Sequence, residues 1–344
     1  MLKHGLAVVL SIVAGSFVAT AQQPSRTWRD PSPHQVWSVT VAEGVTLELL
    51  DWGGSGRPIV LLAGSGNSAH VFDEFAPKLT DCCHVYGITR RGHGASSRPP
   101  SGYDDQRLAE DVFQVLEREP IQRPVLMGHS AAGGEMTTMG RLHSDRLSGL
   151  VYLDALGDLE DDPAADAEWV SLQQKLPTGL IPPAVCDPPD RSTFDAFRQS
   201  LACRMGFAFP VSELRNMFED LNGRVGAARM PEWVSPAMGK GQVSRRDYSN
   251  IRVPVLALMN FAPTTEAILA DTGYKPRDEE ERAAIDRFAV RSRIIIARHS
   301  EKLTRHVPNA RIVYLGHVGH YVFMTREDVV LREIRSFLAG LNGQ

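Results

Sequence analysis

The segment Gly128-His129-Ser130-Ala131-Ala132-Gly133 sets a serine among small residues, directly after the apolar run Val125-Leu126-Met127 and before a stretch of helical period. A serine hydroxyl is a weak nucleophile until a neighbouring base takes its proton. A sharp strand-to-helix turn lifts such a hydroxyl clear of a sheet and places it at the positive end of a helix dipole. Strand and helix then approach so closely that the flanking side chains must be small, and Gly128, Ala132 and Gly133 meet that demand. The usual spacing for this turn is G-x-S-x-G, and here Ala132 stands in place of the second glycine. The chemistry implied is acyl transfer: Ser130 attacks a carbonyl, an oxyanion forms, and water releases the acyl-enzyme.

Such a turn needs a sheet to carry it. Two β-rich segments, Gln35 to Val41 and Val45 to Trp52, meet at Glu43-Gly44. Short apolar runs follow at Pro58 to Ala63, His84 to Ile88, Val125 to Met127, Leu150 to Leu153, Val253 to Leu258 and Ala310 to Leu315. Runs apolar at every position suit strands buried on both faces of a parallel sheet. Between them, helical patterns span Asp104 to Glu119, Ala131 to His143, Arg277 to His306 and Arg326 to Leu341. This alternation predicts an α/β fold with a mostly parallel, doubly wound sheet. One interval breaks the rhythm: about 100 residues separate Leu153 from Val253, far more than one crossover helix needs. It holds Trp169, Phe194, Phe197, Met205, Phe207, Phe209, Met217 and Trp233, and reads as an inserted, mainly helical cap. Most of these side chains would form the cap's own core, and some would face the sheet and shape a pocket. The expected organisation is a leader at 1–21, a core in two parts at 22–155 and 251–344, and the cap at 156–250.

With three further segments the chain resembles the α/β-hydrolase superfamily, in its serine hydrolase and esterase-like members with a cap. The first is Leu61-Leu62-Ala63-Gly64-Ser65-Gly66-Asn67-Ser68, similar to the family's His-Gly loop after the third strand, with Ala63 in place of His. That resemblance implies that the backbone N–H groups of Ser65 and Ala131 form an oxyanion hole. The second is Thr89-Arg90-Arg91-Gly92-His93-Gly94-Ala95-Ser96, similar to the family's D-x-R-G-x-G-x-S loop with Thr89 at the Asp position. It is read as structural, with His93 a loop residue. The third, Leu315-Gly316-His317-Val318-Gly319-His320, corresponds to the Gly-His pair that supplies the family's general base, which implies His320, with His317 as its rival.

The acid departs from the usual pattern. Most relatives carry Asp after the strand that here reads Val253 to Met259, but Asn260-Phe261-Ala262-Pro263-Thr264-Thr265 follows, with no carboxylate before Glu266. Some members place the acid one strand earlier, and Leu150-Val151-Tyr152-Leu153 ends in Asp154. Asp154 is therefore the expected acid, with Asp158 and Glu266 in reserve, and the order Ser, acid, His is kept. The substrate implied is a small-molecule ester or related acyl compound. Amide or peptide cleavage and C–C hydrolysis share the same chemistry, and a non-catalytic ligand-binding member of the fold is the alternative outside it.

Composition fits this reading. With 43% hydrophobic and 23% charged residues among 344, the chain can bury a sizeable core. A net charge of −4, without a Lys/Arg run, argues against a nucleic-acid partner. No H-E-x-x-H or paired-Cys motif is present, so neither a metal nor another cofactor is expected. At the N-terminus, Lys3 and His4 precede an apolar run of about 14 residues, Gly5 to Val18, shorter than the roughly 20 that span a bilayer. Ala19-Thr20-Ala21 then provides a small-residue cleavage site, so a secreted or periplasmic protein starting near Gln22, without stable membrane anchoring, is expected. In an oxidising compartment Cys186 and Cys203 could pair, or could remain free thiols. Adjacent Cys82 and Cys83 read as apolar packing residues at the start of a strand.

Overall fold

The computed structural model describes residues 28–157, 163–180, 186–241 and 246–341. The chain divides into two compact units, residues 1–30 and 31–344, and the fold below is that of the second. The expected leader at 1–21 lies outside the described residues.

Among the described residues ten strands are formed: β1 Gln35–Ala42, β2 Val45–Gly53, β3 Arg57–Leu62, β4 Cys83–Thr89, β5 Val125–His129, β6 Gly149–Leu153, β7 Phe218–Leu221, β8 Arg224–Ala228, β9 Val255–Met259 and β10 Arg311–Tyr314. Eight of them make one sheet in the order β1-β2-β4-β3-β5-β6-β9-β10, while β7 and β8 form a separate hairpin. β1 and β2 run antiparallel at one edge, and every pairing from β4 to β10 is parallel. The helices are α1 Asp105–Arg118, α2 Ala132–Leu142, α3 Pro163–Gln174, α4 Phe194–Met205, α5 Val211–Met217, α6 Val234–Gly241, α7 Thr265–Thr272, α8 Glu279–His306, α9 Val322–Thr325 and α10 Glu327–Leu341.

The all-apolar runs occupy the centre of the sheet, where every residue of β5, β6 and β9 is buried. Alternation along each strand then sorts the core into two layers. Val60, Leu62, Leu126, Leu150, Tyr152, Val255 and Ala257 face one layer with Val112 and Val115 of α1 and Met136 and Met139 of α2. Ile59, Leu61, Val125, Met127, Val151, Leu153, Leu256 and Leu258 face the other, where α10 buries Val330, Ile334, Leu338 and Leu341 at helical spacing. α1 begins at Asp104, whose side chain accepts from Arg107 N–H at 2.9 Å, and α8 begins in the same way at Asp278.

Register places the site. Leu62 pairs with Gly128, His129 with Leu153, Leu153 with Leu258, and Met259 with Tyr314. The residues following β3, β5, β6, β9 and β10 therefore emerge along one edge of the sheet, its C-terminal edge, where open α/β sheets bind ligands.

Between β6 and β9 the chain folds into α3 to α6 and the β7–β8 hairpin. The hairpin is an addition to the helices read from sequence. Its turn, Asn222-Gly223, has φ of 56° and 92° and is the local signal that could have revealed it. Phe194, Phe197 and Phe209 are buried in the same layer as Leu153 and Phe323. Met205 and Trp233 stay substantially exposed, and the side chain of Trp169 lies outside the described residues. Cys186 and Cys203 form a disulfide with Cα atoms 6.1 Å apart, which joins α4 to the segment before it. The expectation for Cys82 is corrected. Cys83 is buried at the start of β4, but Cys82 is exposed in the turn before it, outside the strand whose pairing buries Cys83.

Candidate active site

Ser130 follows β5 with φ of 55°, the left-handed conformation of a tight turn. Its N–H donates to Leu153 O at 3.3 Å, and its carbonyl accepts from Gly133 N–H at 3.0 Å as α2 begins. The small residues around it are required by close approach. A Cβ on Gly128 would collide with Met136 and press on Ala132 Cβ, and one on Gly133 would strike Ala155 O and the Arg246 guanidinium. The glycine at 128 thus makes the room that Ala132 uses.

His320 and Asp154 meet Ser130 in a continuous hydrogen-bonded line. The Ser130 hydroxyl lies 2.7 Å from His320 Nε2, and His320 Nδ1 lies 2.6 Å from Asp154 Oδ2. With Asp154 as acceptor, Nδ1 carries the proton and Nε2 is left to accept from the serine. Asp154 also adopts a left-handed backbone, φ 47°. Its N–H donates to Leu258 O at 2.8 Å, and its Oδ1 accepts from Asn260 N–H at 3.0 Å. Nearly half of the His320 side chain is exposed, against 13% for Asp154, so the imidazole faces the cavity and the carboxylate is covered.

Two residues without an assigned role from sequence hold the histidine loop. Asn260 stands at the usual acid position. Its Oδ1 accepts from the N–H groups of Val318 and Gly319 at 2.9 and 3.1 Å. His129 donates from Nε2 to His320 O at 3.1 Å, and its ring packs 4.6 Å from the His320 ring. Burial and the nearby His320 hold His129 down at about 3, so it is neutral. The x position of G-x-S was the available signal for His129. For Asn260 it was the missing carboxylate itself.

The other candidates fall elsewhere. His317 is anchored by its N–H to Asp271 at 2.7 Å and meets Phe288 edge-on. Glu266 is exposed and paired with Arg282. Asp158 lies outside the described residues.

The Ser65 loop is braced from the sheet side. Arg90 donates to Ala63 O at 2.9 Å and grips Glu135 through two hydrogen bonds of 2.7 and 3.0 Å. His93 accepts Gly66 N–H on Nε2 at 3.1 Å, while its Nδ1 donates to Arg91 O at 3.0 Å. Burial and the Arg90 cation lower His93 to about 4 and keep it the neutral acceptor this bond requires. Thr89, at the usual Asp position, donates to Glu48 at 2.7 Å and accepts from Ala69 N–H at 2.9 Å. Gly64 lets the loop close, because a Cβ there would press on His129 and Ser130 Cβ. Among the described residues no hydrogen bond occupies the N–H of Ser65 or Ala131.

A cavity of about 370 Å³ opens over this line, with Ser65, Ser130, Ala131, Asp154 and His320 on one side. Ser235 and Met238 of α6, Asp105 and Arg246 are among its other lining residues. Arg246 donates to Ala155 O. Ligand-type atoms for a cation gather elsewhere, at His34, His70 and Asp73. There the Asp73 carboxylate already accepts from Trp52, Ser212 and His70, at 3.0, 2.5 and 3.0 Å, and none of the three residues lines the cavity.

A model of the alpha/beta hydrolase family matches residues 59–333. Among curated relatives, a bifunctional esterase/perhydrolase of Acinetobacter calcoaceticus is 32% identical over 35% of this chain and 44% of its own length. A non-heme chloroperoxidase of Streptomyces lividans is likewise 32% identical over 35% and 44%. The matched segments thus span less than half the length of these relatives. Among solved structures, an E-2-(acetamidomethylene)succinate hydrolase superposes with a TM-score of 0.62 at 18% identity, over 89% of this chain and 99% of that one. At that identity the likeness shows the fold. By the extent of the family match and by its sheet, the chain belongs to the alpha/beta hydrolase family.

Proposed function

We propose that this protein is an exported serine hydrolase that cleaves a carboxylic ester or a related acyl bond. The observation that carries the proposal is the continuous line Ser130 Oγ, His320, Asp154, whose residues line the cavity. His320 Nε2 takes the Ser130 proton as the oxygen attacks the substrate carbonyl. The N–H groups of Ser65 and Ala131 receive the developing oxyanion. The imidazolium returns its proton to the departing alcohol, water then attacks the acyl-enzyme with His320 as base, and Ser130 is regenerated. Asp154 holds the tautomer and stabilises the imidazolium without itself taking the proton.

Serine at the elbow favours an acyl-enzyme over the alkyl-enzyme that a carboxylate nucleophile would form. An esterase/perhydrolase among the relatives supports ester chemistry. Export is supported by the basic start, apolar run and Ala19-Thr20-Ala21 of the leader. A fluorophosphonate probe should label Ser130 in the wild type and leave Ser130→Ala unlabelled. Labelling that persists in the variant overturns the assignment. Hydrolysis of esters of graded chain length would then define the acyl group, and N-terminal sequencing of secreted protein should begin near Gln22.

A further inference from the structure

Among the buried carboxylates that the acyl-transfer reading leaves unused is Glu213. Glu213, on α5 in the segment between β6 and β9, is fully buried. Three donors converge on it. Oε1 accepts from Asn67 Nδ2 at 2.8 Å and from Ser68 N–H at 3.1 Å, and Oε2 accepts from Ser68 Oγ at 2.5 Å. Asn67 continues the chain of contacts, since its Oδ1 accepts from the Tyr321 hydroxyl at 2.9 Å. Tyr321 is the residue after His320. The Asn67 N–H closes a turn onto Gly64 O at 3.3 Å, and that turn presents Ser65.

Backbone donors stabilise an oxyanion only when they are held in place before charge develops. The turn at 64–67 contains two glycines, Gly66 at φ 82°, and the side chain that anchors it is Asn67. Its N–H groups at 66, 67 and 68 are committed to His93, Gly64 O and Glu213, which leaves the Ser65 N–H for the cavity that Ser65 lines. Arg90 and His93 brace the turn from the sheet, and Glu213 is the brace from the opposite side. Burial pushes the Glu213 carboxyl up to about 7 even though Ser68 and Asn67 donate to it.

We propose that Glu213 is a positioning residue: by fixing Asn67 and Ser68 it aims the Ser65 N–H at the oxyanion, and through Tyr321 it steadies the loop of His320. This role rests on the acyl-transfer reading of Ser130.

The test compares wild type, Glu213→Ala and Glu213→Gln in p-nitrophenyl acetate hydrolysis and in inhibition by phenylboronic acid, whose tetrahedral Ser130 adduct places an oxygen among the same donors. Glu213→Ala should lower kcat and weaken boronate binding in parallel, each by about tenfold or more, with KM within about threefold. Glu213→Gln keeps an acceptor for Asn67 and for Ser68 N–H and should stay within about threefold of wild type on every readout. The role is overturned by wild-type kcat in Glu213→Ala, by a kcat loss without loss of boronate affinity, or by a Gln variant as impaired as the Ala variant. Should Glu213→Ala not fold, Tyr321→Phe removes only the hydroxyl that anchors Asn67. It should lower kcat and boronate affinity together by about threefold or more, and unchanged values overturn the role. Turnover that survives Ser130→Ala would instead overturn the acyl-transfer reading. Turnover that needs Ser130 but ignores Glu213 overturns the positioning role alone.

Discussion

Two imidazole–carboxylate pairs in this protein share one local geometry and differ in everything around it. At the cavity, His320 Nδ1 lies 2.6 Å from Asp154; in the interior, His70 Nδ1 lies 3.0 Å from Asp73. What separates them is the partner of the far nitrogen. For His70 it is a second carboxylate, Glu48, 3.5 Å away. Burial opposes a charge on His70, but the bonds to Asp73 and Glu48 outweigh it and raise the imidazole to about 10. An imidazolium held between these two carboxylates has no site left to accept a proton. For His320 the far partner is a neutral hydroxyl, Ser130, and the side chain is half exposed. One cluster favours a standing charge; on the proposed acyl-transfer reading the other receives one briefly. A His–Asp contact therefore says little about chemistry until the group beyond the ring is known.

The comparison can be broken at either acid. Asp154→Asn should lower kcat for p-nitrophenyl acetate by roughly 10⁴, with the fold intact, because the imidazole loses its tautomer and its counter-charge. Near-wild-type turnover would remove Asp154 from the proposed line. Asp73→Asn should act on stability instead. It leaves a buried imidazolium one carboxylate short, at a cost of about 3–5 kcal/mol in urea unfolding, with kcat per folded molecule within about twofold. A large kcat loss in that variant would mean the interior pair reaches the site.

Smaller effects sharpen the contrast. Asn260→Ala removes the acceptor of two backbone N–H groups in the His320 loop and should cost about 1–3 kcal/mol in transition-state stabilisation, read as kcat/KM. The exchange Asp154→Asn with Asn260→Asp should not recover activity beyond about tenfold over Asp154→Asn alone, since the β6 carboxylate is the one facing Nδ1. The gentlest test is of pH. Because folding raises the pKa of His70, its contribution to stability is complete below the unfolded value near 6.5 and is lost as pH rises through about 10. Unfolding free energy should fall across that interval in the wild type and fall less steeply in His70→Gln. Equal slopes would show that the ring is not an imidazolium at neutral pH.

Local pattern carried much of this protein. Strands buried on both faces had to be apolar at every position, so β5, β6 and β9 were legible within two residues of their observed limits. The elbow at Ser130 was legible because close strand–helix approach leaves no choice but small residues, and the helices because amphipathic spacing follows from one buried face. The hairpin β7–β8 interrupts a segment whose composition reads as mainly helical, and Asn222-Gly223 is its local mark. Other features were not decided by local pattern. Whether Asp154 or another carboxylate meets His320 depends on strand register, which sets the order of loops along the sheet edge. The contacts of Asn260, His129 and Glu213 join segments far apart in sequence, and the fold decided that Cys186 and Cys203, 17 residues apart, meet. Residue type decided what each group could do chemically; the tertiary structure decided which group stands on the far side of each ring, and so which histidine can act as a base.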